Sequence, residues 1–296
     1  MIVASIGFGE AGLAIAESLA RHHAGALSLR AFDIKLGDPD TAVAKAMHNR
    51  ISAAGVAACD SAKDAVSGAA IVISVVTADQ AAKAAGSVAR HLAPDAVYLD
   101  MNSCAPTTKQ IAASSVEPAG ATYVDVAVMA PIQPRGHETP MLAAAADSGQ
   151  VAATLAKAGL NPRFVGDEIG RASTIKMLRS VMVKGMEALS AECFRAAVRA
   201  GVADEVAQSL DASEKGLTWA EQTSYNLERM TAHGIRRAAE MREVAKTLRA
   251  LEISPAMTTG TIAWQEDMGH LDLTLEPGTG LADQMALVEQ AFTDKD

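Results

Sequence analysis

Ile2-Val3-Ala4-Ser5-Ile6-Gly7-Phe8-Gly9-Glu10-Ala11-Gly12-Leu13-Ala14-Ile15-Ala16-Glu17-Ser18-Leu19-Ala20 is the stretch whose reading decides the fold. A short β-branched run ends at Gly7, and Gly7, Gly9 and Gly12 then open an Ala/Leu-rich helical pattern with G-x-G-x-x-G spacing. Each glycine answers a steric need. Gly7 permits the tight turn, Gly9 lets backbone N–H groups approach a pyrophosphate, and Gly12 lets the helix lie close on the strand, so that the helix N-terminus faces the anion. A second strand, residues 27–32, ends in Asp33, twenty-one residues after Gly12, where a carboxylate can accept from a ribose diol. Strand, turn, helix and acidic residue in that order point to dinucleotide binding rather than to an incidental glycine turn. The expected cofactor contacts are Gly7, Phe8, Gly9, Glu10, Ala11, Gly12, Asp33 and Lys35, joined by Val76 and Thr77 from the end of a later strand and by Asn102. NAD is expected over NADP, because Asp33 would repel a 2′-phosphate, although Lys35 offsets part of that repulsion.

The pattern continues as an α/β chain. Residues 69–76, Ala-Ala-Ile-Val-Ile-Ser-Val-Val, form a continuous apolar run that reads as a central parallel strand covered on both faces. A helix is expected over 80–92, strands over 96–101 and 122–128, and short extra strands over 142–146 and 163–165. Alternating strands and helices make this a doubly wound Rossmann domain, residues 1–168. From Ser173, read as an N-cap, the rest is helical. Ile175, Leu178, Met182, Met186 and Leu189 recur at helical spacing along a helix to about Ala200 that joins the two domains. Further helices are expected over 202–210, 216–230, 234–251, 256–268 and 281–292, with a loop at 276–280. Residues 169–296 thus form an all-α domain for substrate binding and dimerisation.

Composition narrows the function classes. With 296 residues, 49% of them hydrophobic and 21% charged, the chain can bury two cores. A net charge of −9 with no basic run argues against nucleic acid or an anionic membrane as partner. No apolar segment is long enough to span a bilayer and the first strand begins at residue 2, so a cytoplasmic protein is expected. The three cysteines, Cys59, Cys104 and Cys193, are scattered, and no His/Asp/Glu clustering suggests a metal.

Lys176 is the sharpest chemical candidate after the glycines. It lies one turn into the interdomain helix among apolar neighbours, which implies a largely buried setting. A lysine so placed loses basicity, since desolvation disfavours the ammonium form, and comes within reach of general acid–base work. Arg179 and Ser180, at i+3 and i+4, share its face.

Four ordered segments resemble the β-hydroxyacid dehydrogenase family, which includes 3-hydroxyisobutyrate and 6-phosphogluconate dehydrogenases. They are the glycine turn, Asp100-Met101-Asn102-Ser103-Cys104-Ala105-Pro106, Tyr123-Val124-Asp125-Val126-Ala127-Val128-Met129-Ala130-Pro131, and the helix bearing Lys176. The resemblance implies NAD(P)-dependent hydride transfer on an alcohol or carbonyl carbon, with Lys176 catalytic and Asn102 and Ser103 donating to a small-molecule substrate. It also implies a homodimer. Met129-Ala130-Pro131 replaces the family's Ser-Gly-Gly carboxylate anchor, because proline has no N–H and methionine no hydroxyl. A bulkier or atypical substrate is therefore expected near Met129, and an arginine, Arg179 or one from the run His233-Gly234-Ile235-Arg236-Arg237, would hold any carboxylate. His233 and Arg236 read equally well as a solvated helix face with Glu240 as partner. Arg135 and His137, in a loop, are weaker candidates for the pocket. Two rival readings are imine reduction, against which Lys176 argues because imine reductases typically carry Asp or Tyr there, and a nucleotide-binding protein without turnover.

Overall fold

Among the described residues eight strands form one sheet: β1 (Ile2–Ile6), β2 (Ser28–Phe32), β3 (Ala57–Ala58), β4 (Ile71–Ser74), β5 (Val97–Asp100), β6 (Thr122–Val128), β7 (Met141–Ala144) and β8 (Arg163–Phe164). In this computed structural model they run in the order β3-β2-β1-β4-β5-β6-β7-β8. All neighbours are parallel except β6 and β7. The order reverses at β1, whose neighbours are β2 and β4, and that switch opens a crevice at the carboxyl ends of β1 and β4 where such sheets bind ligands. The structure describes every residue except Ala24, Glu214, Lys215, Pro277, Lys295 and Asp296.

The sheet is covered on both faces, as its apolar runs require. Val3, Ile71, Ile73, Val97 and Leu99 pack into one core, and Ala4, Ile6, Val72 and Tyr98 into the other. All four residues of β4 are buried, the signature of a central parallel strand. The covering helices are α1 (Glu10–His22), α2 (Thr41–Ala53), α3 (Ala62–Val66), α4 (Ala81–Val88), α5 (Pro106–Val116) and α6 (Ser148–Ala156). The expected helix over 80–92 is shorter, because its ends tighten into 3₁₀ turns at Ala78–Gln80 and Ala89–His91.

α7 (Arg171–Ala200) begins two residues ahead of Ser173, so Ser173 lies in its first turn and is not its N-cap. The chain forms two compact units, Met1–Val181 and Met182–Asp296, and α7 carries it from one to the other. The second unit continues with α8 (Ala203–Asp211), α9 (Trp219–Ala250), α10 (Ala256–Gly269) and α11 (Leu281–Thr293). α9 is a single helix where the sequence suggests two, one ending near Met230 and the next starting at Gly234. Gly234 serves packing rather than chain termination: a Cβ there would lie 2.1 Å from Gln265 O and 2.8 Å from Gly269 Cα, so the glycine pair allows α9 and α10 to touch backbone to backbone. Of the loop expected over 276–280, Pro277 lies outside the described residues, and Thr279 N donates to Glu276 O at 3.2 Å.

Candidate functional site

The glycine turn sits at the carboxyl end of β1. Gly7 adopts φ +89°, and a Cβ on it would lie 2.5 Å from Val75 O, so the turn excludes any larger residue twice over. A Cβ on Gly12 would lie 2.7 Å from Gly7 O, which fixes how closely α1 rests on β1. Gly9 is exposed, a Cβ on it would meet nothing within 4 Å, and it caps α1 without a side-chain hydrogen bond. This open backbone cradle at a helix N-terminus fits a pyrophosphate. Glu10 and Ala11 form the first turn of α1, Glu10 exposed and Ala11 half-buried.

Asp33 completes this half of the site. Its Oδ2 accepts from Phe8 N at 2.8 Å and its Oδ1 from Lys35 N at 3.0 Å, so the carboxylate is held at the end of β2 with further lone pairs left for a ribose diol. Phe8 departs from its expected place as a cofactor contact. Its side chain is fully buried in a core with Met47, Ile51 and Val56, and its amide is given to Asp33. Lys35 is exposed.

The other lip is formed by Val76, Thr77 and Asn102. Val76 N donates to Asn102 Oδ1 at 2.6 Å, which ties the loop after β4 to the loop after β5. Asn102 is buried, and its amide nitrogen donates to Asp100 Oδ1 at 2.8 Å and Ser74 Oγ at 3.0 Å. Both amide hydrogens are thus taken up inside the protein. In this arrangement Asn102 shapes the loop after β4 and has no amide hydrogen left to donate to a substrate, while Ser103 beside it is exposed.

Beneath that lip lies a charge cluster that sequence reasoning missed. Asp100 and Asp125 stand opposite each other in the register of β5 and β6, and Lys109, on α5, meets both. Lys109 Nζ is 2.9 Å from Asp100 Oδ1 and 3.5 Å from Asp125 Oδ1, with all three side chains fully buried. Nζ also donates to Asp100 O at 2.5 Å and Val126 O at 3.4 Å. Tyr123 donates its hydroxyl to Asp100 Oδ2 at 2.6 Å; burial, reinforced by the Asp100 charge, pushes the phenol pKa far up and keeps that proton in place. Asp125 Oδ2 accepts from Gly170 N at 3.1 Å, Ser173 N at 3.0 Å and Ser173 Oγ at 3.2 Å. A strand carboxylate therefore caps α7 in place of a local side chain. The available signal was two acidic residues inside apolar strand runs, which demand a buried cation.

Lys176 stands one turn beyond Ser173 on that anchored helix. It is half-buried rather than largely buried, because Ile175 and Leu178 beside it face outward. Arg179 is exposed, and Ser180 Oγ donates to Lys176 O at 2.9 Å, an ordinary helix back-bond. Met129 is half-buried and packs with Ala127, Leu142, Ala144, Val165 and Ala172, so its apolar side chain supports the first turn of α7. In the second unit, His233 and Arg236 are exposed, and Arg236 pairs with Glu240 one turn on, as the solvated-face reading expects. His137 does not join the site. It is buried against α1 with Nδ1 2.7 Å from Ser18 Oγ, about 13 Å along the helix from the glycine turn. Arg135, two residues before it, is exposed.

Sequence comparison places this architecture in a known class. The NAD binding domain of 6-phosphogluconate dehydrogenase matches residues 2–154, and a domain of unknown function matches residues 197–268. The chain belongs to the family that carries this NAD-binding domain, so its nucleotide is a nicotinamide cofactor. A conserved hypothetical protein from Sinorhizobium meliloti is 33% identical over 98% of this chain and 96% of its own, with a TM-score of 0.61. A conserved protein of unknown function, described as structurally similar to 3-hydroxyacid dehydrogenases, is 30% identical over 97% and 99%, with a TM-score of 0.58. An imine reductase from Pseudomonas sp. is 16% identical over 97% and 99% with a TM-score of 0.70, a likeness of fold.

Proposed function

We propose that this protein is an NAD(P)-dependent oxidoreductase acting on CH–OH groups, interconverting an alcohol and a carbonyl compound, with Lys176 exchanging the proton at the substrate oxygen. The observation that carries the reading is the Asp125 cap, which fixes the N-terminus of α7, and with it Lys176, to the same sheet edge that carries the glycine turn and the Val76–Asn102 lip. The cofactor's nicotinamide supplies or accepts the hydride when bound. The chain's own residues do the rest. The α1 N-terminus and Gly9 receive the pyrophosphate, and Asp33 accepts from the ribose. Asn102 holds the Val76 amide, and Ser103 presents a hydroxyl that can donate to the substrate. In the reducing direction Lys176 would donate its Nζ proton to the carbonyl oxygen, and in the oxidising direction it would take it back. Similarity to a protein described as resembling 3-hydroxyacid dehydrogenases supports this reaction type. The test is NADH and NADPH oxidation with a panel of aldehydes, ketones and cyclic imines. Reduction of a carbonyl compound that is lost in Lys176→Ala supports the reading, and reduction confined to imines, or none at all, overturns it.

A further inference from the structure

Lys109 is fully buried on α5 and sits between two carboxylates whose other bonds reach opposite walls of the site. Through Asp100 it reaches Asn102 and so the Val76 amide at the end of β4. Through Asp125 it reaches Gly170 and Ser173 and so the first turn of α7. Asp125 Oδ1 makes no hydrogen bond among the described residues and faces Lys109 Nζ at 3.5 Å, so one oxygen of the carboxylate meets the ammonium while the other caps α7.

We infer that Lys109 is a positioning residue, whose ammonium locks the Asn102–Val76 lip of the cofactor site to the N-terminus of the helix that carries Lys176. Stability alone is a weak reason for the cluster. Buried ion pairs are commonly matched or bettered by apolar side chains of similar volume, and like charges on directly opposed strand positions are unfavourable until a cation joins them. What an ion-paired bridge supplies and an apolar filling does not is direction: Nζ donates to Asp100 and to Val126 O and holds Asp125 Oδ1 as an ion pair at 3.5 Å, so a shift of either wall weakens a charged contact. Misplacement of a catalytic group by about 1 Å lowers rate by as much as about 100-fold, so a link of this kind is felt in turnover. The inference rests on the reading of Lys176 as catalytic for its kinetic part only.

The experiment compares the full-length protein with Lys109→Met and Asp125→Asn in three measurements. NADH binding, followed by nucleotide fluorescence, is expected to stay within about threefold of wild type, because the glycine turn and Asp33 are untouched. Amide hydrogen exchange at Ser173 and at Val76 is expected to rise together by about tenfold in Lys109→Met, while the buried β4 amide of Ile73 keeps its protection. In Asp125→Asn, which also serves if Lys109→Met does not fold, exchange at Val76 is expected to rise although the change lies at the other end of the link. With NADH and the aldehyde or ketone that wild type reduces fastest, kcat is expected to fall about 10- to 100-fold and KM for that carbonyl to move less than about threefold. Val76 exchange unchanged in both variants, or a lowered Tm with kcat within about twofold of wild type, overturns the inference. If wild type reduces no carbonyl compound, the proposed function fails, and the exchange measurements still decide the link.

Discussion

The amide of Phe8 donates to Asp33 Oδ2 at 2.8 Å, so the residue inside the glycine turn and the residue that ends β2 are one unit. The Asp33 carboxylate therefore braces the turn, and meeting the ribose is its second, proposed task. Two variants separate these tasks. Asp33→Asn keeps an acceptor for Phe8 N but removes the charge that repels a 2′-phosphate, and the ratio of kcat/KM for NADPH over NADH is expected to rise about tenfold. Asp33→Ala removes the brace as well and is expected to weaken both cofactors. A wild-type protein that prefers NADPH would contradict the proposed preference for NAD.

Lys176→Ala is expected to lower turnover by about 10²–10⁴-fold while NADH affinity stays near wild type, since the residue lies on α7 and the nucleotide cradle on α1. Steady-state rates with the best carbonyl substrate and a fluorescence titration with NADH check the two halves. Retention of more than about a tenth of the wild-type rate would assign the proton to another group.

The sheet apart from β3, a two-residue strand without an apolar run, was legible because its strands are short apolar runs with turn residues at both ends. β6 is found over the expected residues 122–128, and the glycine turn reads directly from steric need. α3, α5 and α6 were not foreseen, because Pro106-Thr107-Thr108-Lys109-Gln110 and Ser148-Gly149-Gln150 show no apolar period and their helices are set by what they pack on. The expected break in α9 between residues 230 and 234 does not occur, because the structure uses Gly234 for a close helix crossing. The buried cluster stayed hidden for a physical reason: Asp100 and Asp125 lie on different strands, and only the β5–β6 register brings the carboxylates together over Lys109.

His137 provides a pH-dependent term in stability. Burial, with His22 at a ring distance of 4.9 Å adding to it, pushes its imidazole below the usual histidine range. The folded state then binds fewer protons than the unfolded one. This contribution is complete above the ordinary imidazole pKa of about 6.5 and is lost as pH falls through it toward the lower folded value. Urea unfolding at about pH 8 and about pH 5 is expected to show a drop in stability that is smaller in His137→Gln. An equal drop in both proteins would remove His137 from the account.

Arg179 lies at i+3 from Lys176 and is exposed on α7. If the substrate bears a carboxylate, this guanidinium is the proposed anchor, since Pro131 offers no N–H in the segment that the family resemblance makes the expected anchor. Arg179→Met is expected to raise KM for an acidic substrate by about tenfold, the loss of one charged hydrogen bond, and to leave a neutral aldehyde unaffected. Equal effects on acidic and neutral substrates would show that the arginine acts through the helix and not through the anion.

α7 carries more apolar surface than its own chain covers. Leu178 is 66% and Val181 69% exposed, and Met182, Met186 and Leu189 continue the exposed face at helical spacing. Contiguous exposed apolar residues of this kind mark an association surface, and a second copy of the chain is the proposed partner, since homodimers with a shared two-fold surface are the commonest assemblies. Light scattering at micromolar concentration is expected to give twice the chain mass. Val181→Glu places a charge on that surface at a position with no packing role within the chain, so the mass is expected to fall toward the monomer while the thermal transition of the Rossmann domain persists. A monomeric wild type overturns the assignment. A dimer indifferent to Val181→Glu moves the interface away from Val181 to the second unit, where Trp264 is 62% exposed.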